Sequence, residues 1–231
     1  MIIHDKDIRE PLFGFLEEQY GRCRVLEEKN TGRSRADVVL VTGCDLIGIE
    51  IKSDADTYVR LAGQVRDYDR YYDRNIVAVG TSHAMHIEEH VPEYWGIITV
   101  EEADGALDFY FLRRPKDNPK VAWERKLTFL WRPELAKIQE LHQMPKYKDR
   151  SKSYVIAKII SRIPDQIKEE VLKSEVSEIL MQRDYTKAAE TLAEYRKSET
   201  QKKLELETDP IRRLRIMMEK PVVGKRRRRK K

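Results

Sequence analysis

The chain has 231 residues, of which 37% are charged and 40% are hydrophobic, enough for one sizeable core or two modest ones. No apolar run approaches the roughly 20 residues that span a membrane, and the start of the chain does not have the pattern of a signal peptide, so no membrane partner is expected. Only two cysteines are present, which excludes a disulfide framework. A cytoplasmic location is therefore expected. The net charge of +5 is uneven: residues 1–128 hold 18 Lys and Arg against 24 Asp and Glu, and residues 129–231 hold 27 against 16, so the first part suits cations and the second suits polyanions.

Helical spacing of apolar residues and short apolar runs between turn residues predict the elements in chain order. The expected elements are a helix over 5–20, a strand over 23–28, a hairpin over 35–52, a helix over 53–73, a strand over 75–80, a short helix over 83–90, and strands over 95–100 and 107–112. This α-β-β-β-α-β order predicts an α/β fold with a mixed central sheet flanked by helices. Beyond residue 129 the strand patterns vanish, and a C-terminal all-helical region is expected as far as residue 219.

The hairpin is the most informative segment of the chain. A turn centred on Gly43 and Cys44 pairs positions that sum to 87 and places Asp37 opposite Glu50. Lys52 follows two residues later and therefore points from the same face. Two carboxylates roughly 5 Å apart at Cβ repel each other, a cost that a divalent cation between them would offset. A carboxylate pair with an ammonium beside it is a side-chain arrangement typical of metal-assisted phosphodiester cleavage.

The remaining hairpin positions support this interpretation. Gly48 shares the charged face, where its missing side chain would leave room for a ligand. The opposite face is apolar and is expected to pack on the core; it contains Val38, Leu40, Ile47, Ile49 and Ile51. The alternative is an ordinary hairpin whose charged face is exposed to solvent.

The charged residues of the hairpin form a motif with the helix that follows. Asp37, then twelve residues, then Glu50-Ile51-Lys52 resembles the PD-(D/E)XK nuclease superfamily, with Ala36 in place of the proline. Gln64 and Tyr68 resemble the Q-x-x-x-Y element of its RecB-like branch. Three longer segments, residues 50–68, 91–96 and 130–135, are similar to a small, poorly characterised bacterial and phage group within that superfamily.

The resemblance implies a restriction-endonuclease-like core and a three-part chain. Residues 1–128 would form the nuclease-like domain, residues 129–219 a helical region, and residues 220–231 a basic disordered tail. The sequence leaves open whether the helical region contacts nucleic acid, a partner protein or another copy of the chain.

The resemblance also implies a metal site. Asp37 and Glu50 would bind Mg²⁺ or Mn²⁺ through hard oxygen ligands. A further acidic residue often completes such sites. Glu28 is the first choice for it, ahead of Glu27 and Glu17.

Three more residues would act beside the metal. Lys52 would position the attacking water or offset charge on the transition state. Gln64 and Tyr68 would orient Lys52 or contact the nucleic-acid backbone. The alternatives are a surface position for Gln64 and a plain core position for Tyr68.

Cationic residues are expected to bind the phosphate backbone. Two of them flank the motif, Arg35 and Arg60, although Arg60 has the alternative of pairing with Asp56 at helical spacing. The others belong to the run of seven cations at the end of the chain and include Lys225, Arg226, Arg227, Arg228 and Arg229. Such a run gives salt-sensitive, sequence-independent affinity; the alternative is a solubilising tail.

The predicted function is therefore that of a Mg²⁺- or Mn²⁺-dependent deoxyribonuclease, a hydrolase of phosphodiester bonds in phage or bacterial DNA processing, repair or defence. One alternative is a catalytically silent nucleic-acid-binding or scaffold protein on the same fold. Another is cleavage of RNA, or of DNA only within a larger assembly.

Overall fold

The computed structural model describes residues 3–147 and 149–185, and it shows an α/β fold built on a six-stranded mixed sheet with the order β1-β2-β3-β4-β5-β6. Strands β3, β4 and β5 run parallel, while β1, β2 and β6 are antiparallel to their neighbours. The strands are β1 Arg24–Thr31, β2 Ser34–Val41, β3 Leu46–Lys52, β4 Arg74–Gly80, β5 Gly96–Ala103 and β6 Ala106–Arg113.

Helices flank this sheet. The α-helices are α1 Asp5–Tyr20, α2 Leu61–Tyr68, α3 Thr81–Ala84, α4 Trp123–Lys126, α5 Arg132–Leu141, α6 Lys152–Ile160 and α7 Glu169–Gln182. Short 3₁₀ turns cover Tyr58–Arg60, Ile87–Glu89 and Leu127–Phe129. Among the described residues, no helix combines the length and the apolarity needed to cross a membrane. The α/β class and the mixed sheet agree with the sequence prediction, and among the described residues after 129 the elements are helical. The rest of the predicted helical region, 186–219, and the predicted disordered tail, 220–231, lie outside the described residues.

Two predicted boundaries were wrong for local reasons. The helix expected over 53–73 is only α2, because Asp56 closes a turn with Ser53, accepting from its N–H at 2.8 Å and its hydroxyl at 2.7 Å. Strand β1 continues past residue 28 to Thr31, since Gly32, at φ +66°, allows a tight turn directly into β2.

The predicted hairpin register is confirmed. Val38 pairs with Ile49 and Leu40 with Ile47, so paired positions sum to 87. The apolar face of the hairpin packs against α1, whose inward residues are Ile8, Leu12 and Leu16, all fully buried. The apolar face of the hairpin therefore belongs to the main core, and the opposite face is left for the charged residues.

The space over Gly48 is filled, which corrects the expectation that it admits a ligand. A Cβ atom added at Gly48 would lie 2.2 Å from the ring of Tyr72, a fully buried residue. The glycine thus allows an aromatic ring to pack against β3. A ligand would have to approach the acidic pair from another direction.

Replacing Gly48 by alanine is expected to destabilise the fold by about 1–3 kcal/mol, because the methyl group would overlap a ring that has no room to move. The matched control is Gly43→Ala, at a position where no described atom lies within 4 Å of the added Cβ. Urea unfolding followed by circular dichroism measures both. Equal stability of the two variants would contradict this packing.

A buried ion pair ties the later helices to the sheet. Lys126 of α4 is fully buried and donates to both carboxylate oxygens of Asp73, at 2.7 and 2.6 Å. Asp73 also accepts from the Leu46 N–H at 2.8 Å, and Lys173 of α7 lies 3.8 Å from it. Consistent with these links, the described residues up to Gln182 belong to one compact unit. The domain boundary expected at residue 128 stays a prediction.

Truncating Asp73 to alanine should cost about 3–5 kcal/mol in the free energy of unfolding, because it leaves the Lys126 ammonium buried without its counter-charge. Asp117→Ala is the control, since Asp117 forms an exposed ion pair with Arg74 and such pairs contribute at most about 1 kcal/mol. Chemical denaturation compares the two. A loss as small as that of the control would show that Lys126 is not held in this way.

Candidate active site

The predicted acidic pair lies where strands β2 and β3 stop pairing. The ladder ends at Val38 and Ile49, and one residue further the Asp37 carboxylate turns toward β3 and accepts from the Ile51 N–H at 3.0 Å. The Tyr68 hydroxyl donates to Glu50 Oε2 at 2.6 Å and lies 3.3 Å from the Asp37 N–H, which donates to it. One side chain of α2 thus contacts both acidic residues.

Glu50 is buried and receives three donors. Lys52 Nζ donates to Oε1 at 2.5 Å, and the Gln64 side-chain amide donates to the same oxygen. The Tyr68 hydroxyl donates to Oε2. Burial raises the pKa of this hydroxyl well above its ordinary value, so it stays protonated and remains a donor. Glu50 and Lys52 are 1% and 3% exposed, which makes this a buried, hydrogen-bonded ion pair.

Asp37 has a different environment. Burial raises the pKa of its carboxyl from 3.8 to about 6, repulsion from Glu50 adds to the rise, and the Ile51 N–H opposes it. Arg9 of α1 donates to the Asp37 carboxylate and to its backbone carbonyl, both at 3.4 Å. The Asp37 carboxyl therefore ionises near neutral pH, and the negative charge that it gains lies beside Glu50.

Arg9 was missed by the sequence prediction. Besides Asp37, its guanidinium contacts Asp5 at 2.9 Å and lies 3.8 Å from Glu27. The available signal was the i, i+4 spacing of Asp5 and Arg9 on the polar side of the first helix. That spacing alone predicts a surface ion pair and gives no reason to place Arg9 at the acidic pair.

The residues present fit a divalent cation. A carboxylate offers about four acceptor positions; Asp37 uses two of them and Glu50 three. Gln64 Oε1 is buried and has no hydrogen-bond partner within the described ranges. Mg²⁺ usually takes one or two carboxylates together with water and substrate phosphates. Within those ranges no cluster of three or more His, Cys, Asp or Glu is found, so the candidate donor set is this pair.

The structure does not bring Glu28 to the pair. Its backbone has φ +52°. The β1–β2 ladder pairs Glu27 with Val38 and Lys29 with Ala36, whereas Glu28 and Asp37, which lie between these pairs, do not form a ladder pair. The Glu28 side chain is exposed and binds Arg35 at 3.2 Å. The positive φ interrupts the strand alternation of β1 at this residue. Glu17 is exposed on α1, and neither it nor Glu27 lines the cavity described next.

A cavity of about 920 Å³ opens over the acidic pair. Its lining includes Asp37, Glu50, Lys52 and Gln64. Five exposed guanidinium groups also line it, those of Arg33, Arg35, Arg60, Arg66 and Arg70. The Asp56 carboxylate accepts from Ser53, so the helix-spaced pairing with Arg60 is not the arrangement seen. The cavity combines an acidic floor with a cationic mouth.

One wall of this cavity is fixed by Asp67 of α2. Its carboxylate accepts from the Arg33 N–H at 3.1 Å and from the Ser34 hydroxyl at 2.7 Å. These bonds hold the β1–β2 turn against α2. The arginines of the turn and those of the helix therefore line the same opening.

The sequence-predicted residues thus divide into three sets. The structure brings together Asp37, Glu50, Lys52, Gln64 and Tyr68, with Arg35 and Arg60 at the cavity mouth. Glu28 does not line the cavity and pairs with Arg35. The predicted contacts of Lys225, Arg226, Arg227, Arg228 and Arg229 lie outside the described residues. Tyr68 is also a core residue, as its alternative predicted, since its ring lies 5.3 Å from that of Tyr72 and 5.6 Å from that of Trp95.

Comparison with known proteins adds a family. The model of the family described as bacteriophage P4 protein cII matches residues 25–207. Among solved structures, the SPO1766 protein of unknown function from Silicibacter pomeroyi is similar, with 22% sequence identity, a TM-score of 0.37, and coverage of 58% of this chain and 89% of that chain. The search of curated proteins finds no match. The family match agrees with the phage part of the sequence prediction and extends over most of the chain. The chain therefore belongs to the bacteriophage P4 protein cII family.

Proposed function

We propose that this protein is a metal-dependent nuclease with a restriction-endonuclease-like core. The observation that carries the proposal is the convergence of Asp37, Glu50 and Lys52 at the floor of a cavity whose mouth is lined with arginines. Two acidic groups can hold a metal ion and a buried ammonium can offset charge on the phosphate, which suits metal-assisted phosphodiester hydrolysis. The resemblance of the motif to the PD-(D/E)XK superfamily agrees with this chemistry.

A nucleic-acid substrate is supported by the charge of the cavity mouth. Five exposed guanidinium groups face the same opening, and arginine binds phosphate oxygens through paired N–H donors. Neutralising successive phosphates gives an affinity that depends steeply on salt and little on sequence. We propose DNA as the substrate, with RNA as the alternative.

Asp37 and Glu50 are the residues that would hold Mg²⁺ or Mn²⁺. Such an ion, when bound, polarises a phosphate oxygen and lowers the pKa of a bound water. Asp37 is ionised above about pH 6, and in that form it can hold a cation or orient the attacking water. Lys52 supplies the positive charge that offsets the negative charge developing on the phosphate.

Gln64 and Tyr68 act as positioning residues in this scheme. Both donate to Glu50, so they fix the orientation of the carboxylate that in turn holds the Lys52 ammonium. Preorganised groups of this kind avoid reorganisation when the charge develops. The arginines hold the backbone in the opening above these residues.

The direct test is cleavage of linear, nicked, single-stranded and branched DNA, and of RNA, in Mg²⁺ or Mn²⁺. We expect the wild type to cleave at least one of these, EDTA to stop the reaction, and Asp37→Asn to lower the rate by about 10² or more. Asp108→Asn, an exposed carboxylate on β6, is the matched control and should retain the activity. Cleavage that survives Asp37→Asn unchanged would overturn the assignment.

A second candidate function is nucleic-acid binding without cleavage. It is favoured by the three hydrogen bonds that Glu50 accepts from Lys52, Gln64 and Tyr68, which occupy most of the acceptor positions of its carboxylate. Salt-dependent binding in EDTA, together with no cleavage of any tested substrate in Mg²⁺ or Mn²⁺, would select this alternative.

A further inference from the structure

A second positively charged surface lies outside the cavity, on helix α6. Residues 146–162 contain six Lys and Arg and a single acidic residue, Asp149. The apolar side of α6 is buried through Val155, Ile156 and Ile159, so the opposite side faces solvent. None of the described residues of this segment lines the cavity of the candidate active site.

An exposed aromatic ring lies at the centre of this surface. The ring of Tyr154 is 37% exposed, and Tyr147 packs edge-on against it with ring centres 5.4 Å apart. Arg150 Cζ and Lys158 Nζ both lie over the Tyr154 ring, at 5.4 and 5.6 Å from its centre. The Tyr147 contact orients the ring, while two cations flank it.

The charges of this surface are available to a ligand. In the part of the chain that the structure describes, neither Arg150 nor Lys158 forms an ion pair with a carboxylate. Lys152, by contrast, donates to the Thr128 carbonyl at 2.7 Å. Two cations that have no carboxylate partner among the described residues, together with an exposed ring, attract a partner that carries regular negative charge and flat, stackable groups.

We infer that this face of α6, defined by Arg150, Tyr154 and Lys158, binds single-stranded nucleic acid. Stacking of bases on aromatic rings within a cationic track is the way in which such strands are held without sequence preference. A duplex conceals the faces of its bases and would use only the charges. The inference goes beyond the proposed cleavage, since binding here needs neither a metal nor the acidic pair.

The test is fluorescence anisotropy with the full chain and a labelled oligothymidylate of about 20 nucleotides, longer than the sites of known single-strand binders. EDTA in the buffer prevents cleavage, so failure of the nuclease proposal leaves the result intact. Tyr154→Ala should weaken binding at least about fivefold, while Tyr154→Phe should retain it, because the ring is kept. Equal thermal unfolding midpoints would show that both variants are folded.

The charges are tested by the double variant Arg150→Gln/Lys158→Gln. It should reduce the slope of log affinity against log salt by about 1.4, since each lost single-strand phosphate contact contributes about 0.7. The control is Arg22→Gln/Lys116→Gln, which removes the same charge at exposed positions elsewhere. Equal effects of the two double variants would overturn the inference. So would a duplex that binds as tightly as the single strand and loses the same affinity in Tyr154→Ala. Preference for an acidic peptide or an anionic vesicle over the oligonucleotide would overturn it as well.

Discussion

Replacing Lys52 by methionine is expected to lower the rate of phosphodiester cleavage by a factor of about 10² or more. The ammonium is 3% exposed and is held at 2.5 Å by Glu50, so it is already fixed in place when charge develops on the phosphate. Methionine keeps most of the volume and removes the charge. Single-turnover cleavage in excess enzyme measures the chemical step without product release.

The same substitution should also destabilise the protein, because Glu50 would remain buried without a counter-charge, at a cost of about 3 kcal/mol. The double variant Glu50→Gln/Lys52→Met removes both charges and should recover most of this stability, yet remain inactive. It thereby separates loss of folding from loss of chemistry. An active double variant would contradict the roles assigned to both residues.

Replacing Asp37 by asparagine should stabilise the protein at neutral pH in metal-free buffer. The carboxyl has a folded-state pKa of about 6, above its ordinary value of 3.8. Its contribution to stability is therefore fully present below about pH 4 and is lost as the pH rises through 6. The upward shift corresponds to about 3 kcal/mol.

Asparagine does not titrate, so its advantage over aspartate should grow by up to about 3 kcal/mol between pH 4 and pH 7.5. Urea unfolding of both proteins in EDTA at several pH values measures this difference. If the variant is less stable than the wild type at pH 7.5, or if the stability difference does not change with pH, then folding does not raise the pKa of the Asp37 carboxyl. Stability gained together with activity lost would mark the residue as functional.

The hairpin was predictable because two independent signals agreed. The alternation of Val38, Leu40, Ile47 and Ile49 demands one buried face, and the short turn leaves a single register that satisfies it. A one-residue slip would have moved every charge into the core. Gln64 and Tyr68 were predicted from their resemblance to the Q-x-x-x-Y element, and their spacing of four residues on a helix places them on one face.

Other parts of the site depend on contacts between residues that are distant in sequence. Arg9 reaches Asp37 only because α1 packs across the sheet, and no local pattern encodes that crossing. The space over Gly48 is filled by Tyr72, from beyond the end of α2, which the strand pattern could not reveal. Glu28 was predicted as a further metal ligand but does not line the cavity, and its positive φ interrupts the alternation of β1.

The arginines of the cavity mouth, too, could be predicted from the sequence only in part. Arg35 and Arg60 were predicted from their closeness to the motif, whereas Arg33, Arg66 and Arg70 were not. Their convergence depends on Asp67, which fixes the β1–β2 turn to α2 through its hydrogen bonds to Arg33 and Ser34. Asp67 reads in the sequence as an ordinary helix-surface carboxylate.

The central claim is that Asp37 and Glu50 share a divalent cation, and anomalous X-ray diffraction from crystals soaked in Mn²⁺ at pH 7.5 tests it most directly. We predict a peak about 2.1–2.3 Å from a carboxylate oxygen of each residue, lost in Asp37→Asn. Absence of a peak between them, or an equal peak in the variant, would contradict the account.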